Sequence, residues 1–119
     1  MTEENTLLDK IVEGIQDKKG KSITIVDMSR IEGASTPCFV ICSGTSAMHV
    51  AAVADSVREY VQTHASQKPY NYDGYQNAQW IVLDYGTIFV HVFLPEYRER
   101  YNLEQLWSDA AMRAVPDLD

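Results

Sequence analysis

Only two cysteines occur in the 119 residues, Cys38 and Cys42. So few exclude a scaffold stapled by disulfides. They bracket the apolar run Phe39-Val40-Ile41-Cys42, which reads as a strand. Four residues of strand hold two backbones ~13 Å apart, beyond disulfide reach, so two buried thiols are expected. No apolar run approaches the ~20 residues that a membrane span requires. The start, Met1-Thr2-Glu3-Glu4-Asn5, lacks the basic and apolar segments of a signal peptide, so a cytoplasmic location is expected. Basic residues are also scarce, 10 against 17 acidic ones, for a net charge of -7. Phosphate attraction dominates most nucleic-acid binding, so direct sequence-specific recognition of RNA or DNA is not expected, whereas a negative field suits a basic partner. The three histidines, His49, His64 and His91, do not converge in sequence. Without an HxxxH or Cys/His spacing, no metal site is expected.

What is present reads as one domain over residues 1–119, with residues 1–5 and 114–119 frayed. Leu7, Leu8, Ile11, Val12 and Ile15 recur at helical spacing, and this first helix ends near Gly20. Residues 22–28 alternate and are β-branched, which predicts a strand. A loop is expected at 32–37, then a buried strand over 38–42. Ser46 is placed to cap a helix from Ala47 to about Ala65, whose apolar stripe is Val50, Val53, Ala54, Val57 and Val61. Tyr70–Tyr72 suits a short edge strand. Residues 80–85 and 88–93 form an expected antiparallel hairpin around Gly86-Thr87. Residues 97–107 read as helix. The order α-β-β-α-β-β-β-α predicts an α/β (α+β) domain, a mixed sheet of about five strands flanked by helices.

No active site can be assembled. Ser43-Gly44-Thr45-Ser46 opens a helix but lacks the spacing and lysine of a P-loop, so a capped turn is the favoured reading. A Gly-Ser turn at that place is also found in nucleotidyltransferases, which need paired carboxylates for magnesium. Here Asp55 and Glu59 fall in the predicted helix and Asp84 stands alone at a strand end. In the last strand of the hairpin, Phe89, His91 and Phe93 share one face, and Ile88, Val90 and Val92 the other. Either the strand is buried on both sides, or one aromatic face is open and takes a partner.

Three blocks in order resemble the ribosomal silencing factors, or Iojap-like proteins, of bacteria and organelles. They are Phe39-Val40-Ile41-Cys42-Ser43-Gly44-Thr45-Ser46, then Trp80-Ile81-Val82-Leu83-Asp84-Tyr85-Gly86 with Val90-His91-Val92-Phe93, and finally Arg98, Tyr101, Leu103-Glu104, Leu106-Trp107 and Asp109. Pro37-Cys38 stands where the family usually has Asp-Tyr, Asp73-Gly74 where it has Glu-Gly, and Arg100 where an aromatic is usual. The resemblance implies a nucleotidyltransferase-like fold without the catalytic carboxylates, and so no enzyme and no cofactor. It further implies a translation repressor that binds ribosomal protein L-fourteen of the large ribosomal subunit and sterically blocks joining of the small subunit when nutrients are scarce. The partner-binding residues it implies are Trp80, Leu83, Asp84, Tyr85, His91, Arg98, Tyr101 and Glu104. Two other readings stay open: a nucleotide-binding protein of nucleotidyltransferase type, and a homodimeric interaction module, which would also be the form of the free protein.

Overall fold

A computed structural model describes residues 3–31 and 38–117, with the side chains of residues 3–5 left aside. The loop expected at 32–37 and the terminal residues 1, 2, 118 and 119 lie outside them. Four helices and six strands follow in the order α1 (Glu3–Asp17), β1 (Lys21–Asp27), β2 (Cys38–Ser43), α2 (Ala47–Ala65), β3 (Asn71–Asp73), β4 (Trp80–Asp84), β5 (Ile88–Phe93), α3 (Pro95–Tyr101), α4 (Leu103–Leu106) and β6 (Ala111–Val115). The sheet runs β3-β4-β5-β2-β1-β6. Only β2 and β5 pair in parallel, Cys38 with Ile88 through Ser43 with Phe93; the other pairs are antiparallel. The hairpin of β4 and β5 closes as expected, with Tyr85 N–H donating to the Ile88 carbonyl at 2.9 Å.

One face of the sheet carries α1 and α2. Leu7, Ile11 and Ile15 of α1 and the Val50, Val53, Val57, Val61 stripe of α2 meet Ile23, Ile25, Val40, Ile81, Leu83, Val90 and Val92 in one dry core. Fully burying such a side chain stabilises the fold by about 1.5–3 kcal/mol. The two helices cross closely because Gly14 lacks a side chain: a Cβ there would stand 3.0 Å from the Val57 Cα. The buried Ser56 hydroxyl completes the crossing by donating to the Gly14 carbonyl at 2.7 Å. At the start of α2, Ser46 accepts from the His49 N–H at 3.1 Å, the cap that its position predicted.

The opposite face is covered only in part. Val26, Met28, Ile41 and Phe93 are buried there, with Phe39, Trp80, Tyr97, Leu103 and Trp107 packed around them.

Within the mixed α/β domain that was expected, three expectations are corrected; the sheet itself has six strands against about five. Its last strand, β6, pairs Ile23 with Val115 through Asp27 with Ala111, so residues 114 and 115 lie in the sheet instead of fraying. Beyond it, Asp117 accepts from the Ser22 N–H at 2.8 Å. The single helix expected over 97–107 is broken at Asn102, which sits in the left-handed region (φ 45°), ends α3 and caps α4. Asparagine tolerates that conformation better than most residues. No disulfide joins the two cysteines. Cys42 is fully buried, and burial pushes its thiol up to about 12, but Cys38 is only half-buried.

Candidate partner-docking face

The alternation of β4 sorts the predicted site residues. Trp80 lies opposite Phe93, Val82 opposite His91, and Asp84 opposite Phe89, all on the partly covered face. Leu83 pairs with Val90 on the other face, beneath the helices. Leu83 is 0% exposed and Tyr85 4%. Both belong to the main core and cannot meet a partner without unfolding it. The Tyr85 hydroxyl is buried with no hydrogen-bond partner among the described residues, and burial pushes its pKa up.

Trp80 is the centre of the aromatic face. Its ring stacks on Phe93 at 5.0 Å between centroids and leans on Tyr101 at 4.8 Å. Its indole N–H donates to His91 Nδ1 at 3.0 Å. Tyr101 is 50% exposed, on the last turn of α3. A cleft of about 430 Å³ opens beside them, between the β3–β4 connection and α3, with Asp73, Gln79, Trp80, Tyr97 and Tyr101 in its wall. The turn at Gly74 reaches this wall because glycine alone fits: its φ is +99°, and a Cβ would fall 2.0 Å from the Trp80 carbonyl oxygen. Toward β3 the face stays open. Asn71 and Asp73 are exposed, and Val82, Asp84 and Phe89 are half-buried. Asp84 also shapes the hairpin, where its Oδ1 accepts from the Gly86 N–H at 2.8 Å. Asp73 accepts from the Gly74 N–H at 2.8 Å. Both carboxylates thus stay fixed at the rim of an aromatic patch.

His91 is placed differently from the expectation that it touches a partner. It is 5% exposed, packed edge to face with Phe39 at 4.5 Å. Burial lowers its pKa to about 4, so the ring is neutral at physiological pH.

Arg98 and Glu104 are turned inward. Arg98 donates through Nη1 to the Ser22 carbonyl at 2.7 Å and the Ser43 hydroxyl at 3.0 Å. Nη2 reaches the Thr24 hydroxyl and Glu104 Oε2, both at 3.1 Å. Ser22 presents its carbonyl this way because it forms a bulge in β1, with φ 53° and the register shifted between Lys21 and Thr24. The planar guanidinium therefore ties α3 to β1 and β2 and fixes the wall that carries Tyr97 and Tyr101.

Of the eight predicted residues, the fold brings Trp80, Asp84, His91 and Tyr101 to one patch. It puts Leu83 and Tyr85 on the far side of the sheet and engages Arg98 and Glu104 with the protein itself. Asp73, Val82 and Phe89 share that face although the resemblance names none of them, and period-two alternation already set Val82 with Trp80 and Asp84. Asp55 and Glu59 lie on α2, away from this face. Among the described residues, no three His, Cys, Asp or Glu side chains come together in a way that could hold a metal ion. No described helix is long and apolar enough to cross a membrane.

A family profile described as "Ribosomal silencing factor during starvation" matches residues 1–119. The ribosomal silencing factor of Bacillus subtilis is 36% identical over 105 residues, which span 87% of this chain and 83% of that one. A mouse protein named for mitochondrial assembly of the ribosomal large subunit is 32% identical over 85% of this chain and 45% of its own length. Among solved structures, a protein of Chromobacterium violaceum superposes with a TM-score of 0.82 at 29% identity, covering 87% of this chain and 85% of the other.

Proposed function

The chain belongs to the ribosomal silencing factor family, and from that premise we propose that it represses translation without catalysing a reaction. It docks on ribosomal protein L-fourteen of the large subunit and stands in the way of the small subunit, lowering translation when nutrients are scarce. This activity places it in the cytoplasm.

The observation that carries the reading is the accessible Trp80–Tyr101 pair, flanked on one sheet face by the fixed carboxylates of Asp73 and Asp84. Aromatic anchors beside a charged rim are what tight protein interfaces use. The acidic rim and the net charge of -7 suit a basic protein surface, such as ribosomal proteins present. The mouse relative, named for assembly of the mitochondrial ribosomal large subunit, supports the choice of subunit. Trp80, Tyr101, Asp84, Asp73, Val82 and Phe89 are the contact residues in this reading.

Co-sedimentation with purified large and small subunits, followed by a subunit-joining assay, tests it. Saturable binding to the large subunit alone, with joining inhibited, is the expected result. Binding to neither subunit at low salt would overturn it; a dimer that persists alongside large-subunit binding would place the two contacts on separate surfaces.

A further inference from the structure

His91 occupies a place that an aliphatic residue would fill at less cost. Its register partner on β2 is Ile41, fully buried on the same face of the sheet. Because Nδ1 accepts the Trp80 indole N–H at 3.0 Å, the imidazole's own proton sits on Nε2. Nε2 is buried and has no hydrogen-bond partner among the described residues. Such an unmet donor weakens a fold, so packing alone does not account for the ring. Nor can it touch a docking protein at 5% exposure, behind Trp80 and Phe39.

What the imidazole does that no aliphatic side chain could is hold the indole by its one polar atom. Stacking on Phe93 and contact with Tyr101 fix the plane of the Trp80 ring, but neither selects between the χ2 rotamers that keep that plane and reverse the edge carrying Nε1. A hydrogen bond to Nε1 does. The acceptor is itself immobile, held at 4.5 Å by Phe39 and at 6.2 Å by Phe93. An anchor held in its bound orientation loses less freedom on docking.

We infer that His91 is a positioning residue for partner binding, setting the orientation of the Trp80 indole from behind without meeting the partner. This rests on the reading that Trp80 docks on the large subunit. It assigns His91 a role that ends at the indole N–H.

The test compares His91→Leu, His91→Asn, Trp80→Phe and the double variant Trp80→Phe/His91→Leu in the whole chain, with affinity for purified large subunits as readout. Asparagine keeps an acceptor near the position of Nδ1; leucine keeps bulk alone. His91→Leu is expected to weaken binding about tenfold, and His91→Asn less than about threefold. In the Trp80→Phe background, which has no indole N–H, His91→Leu should change affinity by less than about twofold. The indole proton resonance of Trp80, assigned in a Trp107→Phe background, should move upfield in His91→Leu and stay in His91→Asn. Wild-type affinity in His91→Leu overturns the inference. So does an equal loss in His91→Leu and His91→Asn, or an undiminished effect of His91→Leu beside Trp80→Phe. Should His91→Leu not fold, nitrogen–nitrogen coupling across the Trp80–His91 bond in isotope-labelled wild-type protein decides: its absence overturns the inference. A folded Trp80→Ala that binds large subunits like wild type would instead sink the docking reading, and with it the role given to His91.

Discussion

The two faces of one sheet are built by different chemistry. Beneath α1 and α2 the residues are aliphatic, fully buried and interchangeable in kind: Ile23, Ile25, Val40, Ile81, Leu83, Val90, Val92. On the other face, the same strands present Phe39, Trp80, Phe89, His91 and Phe93 beside Val26 and Ile41, covered only in part by short helices tied down by Arg98. Aliphatic burial is non-directional and needs only volume and dryness. The aromatic face instead depends on directed contacts: an indole hydrogen bond, a guanidinium fork and stacked rings. The two faces of β4 therefore differ in kind: Leu83 is sealed in the main core, while Trp80 stands half-buried on the partly covered face.

Substitutions on either side of β4 should separate the two faces. Leu83→Ala is expected to have the largest effect on stability, a loss of about 2–5 kcal/mol in denaturant unfolding, with ribosome binding unchanged in the fraction that stays folded. If Leu83→Ala abolished binding while leaving stability intact, the division between the faces would be wrong. Trp80→Ala should do the reverse, costing about 2 kcal/mol or more of binding, which is ~30-fold in affinity for the large subunit.

The buried imidazole gives the aromatic face a pH dependence that the aliphatic one lacks. The folded pKa of His91, about 4, lies below its ordinary 6.5, so the unfolded chain takes up a proton first. Stability from this residue is complete above pH 6.5 and is lost as the pH falls toward 4. Between about pH 7.5 and pH 5 the loss should be about 2 kcal/mol. Unfolding curves of wild type and His91→Asn at both pH values measure it, and the variant should lack this component. The smallest effect is expected from Tyr101→Ala. Half-exposed, Tyr101 should contribute about 1 kcal/mol to binding, about fivefold, and little to the unfolding midpoint.

Much of this division could be read from the chain. Alternation put Phe89, His91 and Phe93 together, and the same rule separates Trp80, Val82 and Asp84 from Ile81, Leu83 and Tyr85. Leu83 and Tyr85 stand in the block that resembles the family, but that alternation turns them to the helix-covered face, away from Trp80 and Asp84. Arg98 and Glu104 could not be placed in the same way. The groups Arg98 binds on Ser22, Ser43 and Thr24 lie 76, 55 and 74 residues away in the chain. Strand β6 was missed for a related reason. Ala111-Met112-Arg113-Ala114-Val115 has weak strand propensity and becomes a strand only because β1 offers it an unpaired edge.

The two long helices, five of the strands, the hairpin and the residues that share each strand face were legible in the chain, because these follow from periods of 3.6 and 2 and from local turn chemistry. Tertiary structure alone decided which face the long helices close and which stays open. It also decided that Arg98 points inward and that His91 lies behind Trp80 rather than beside a partner. Those outcomes depend on how segments distant in the chain compete to cover the same surface, and no local pattern carries that information.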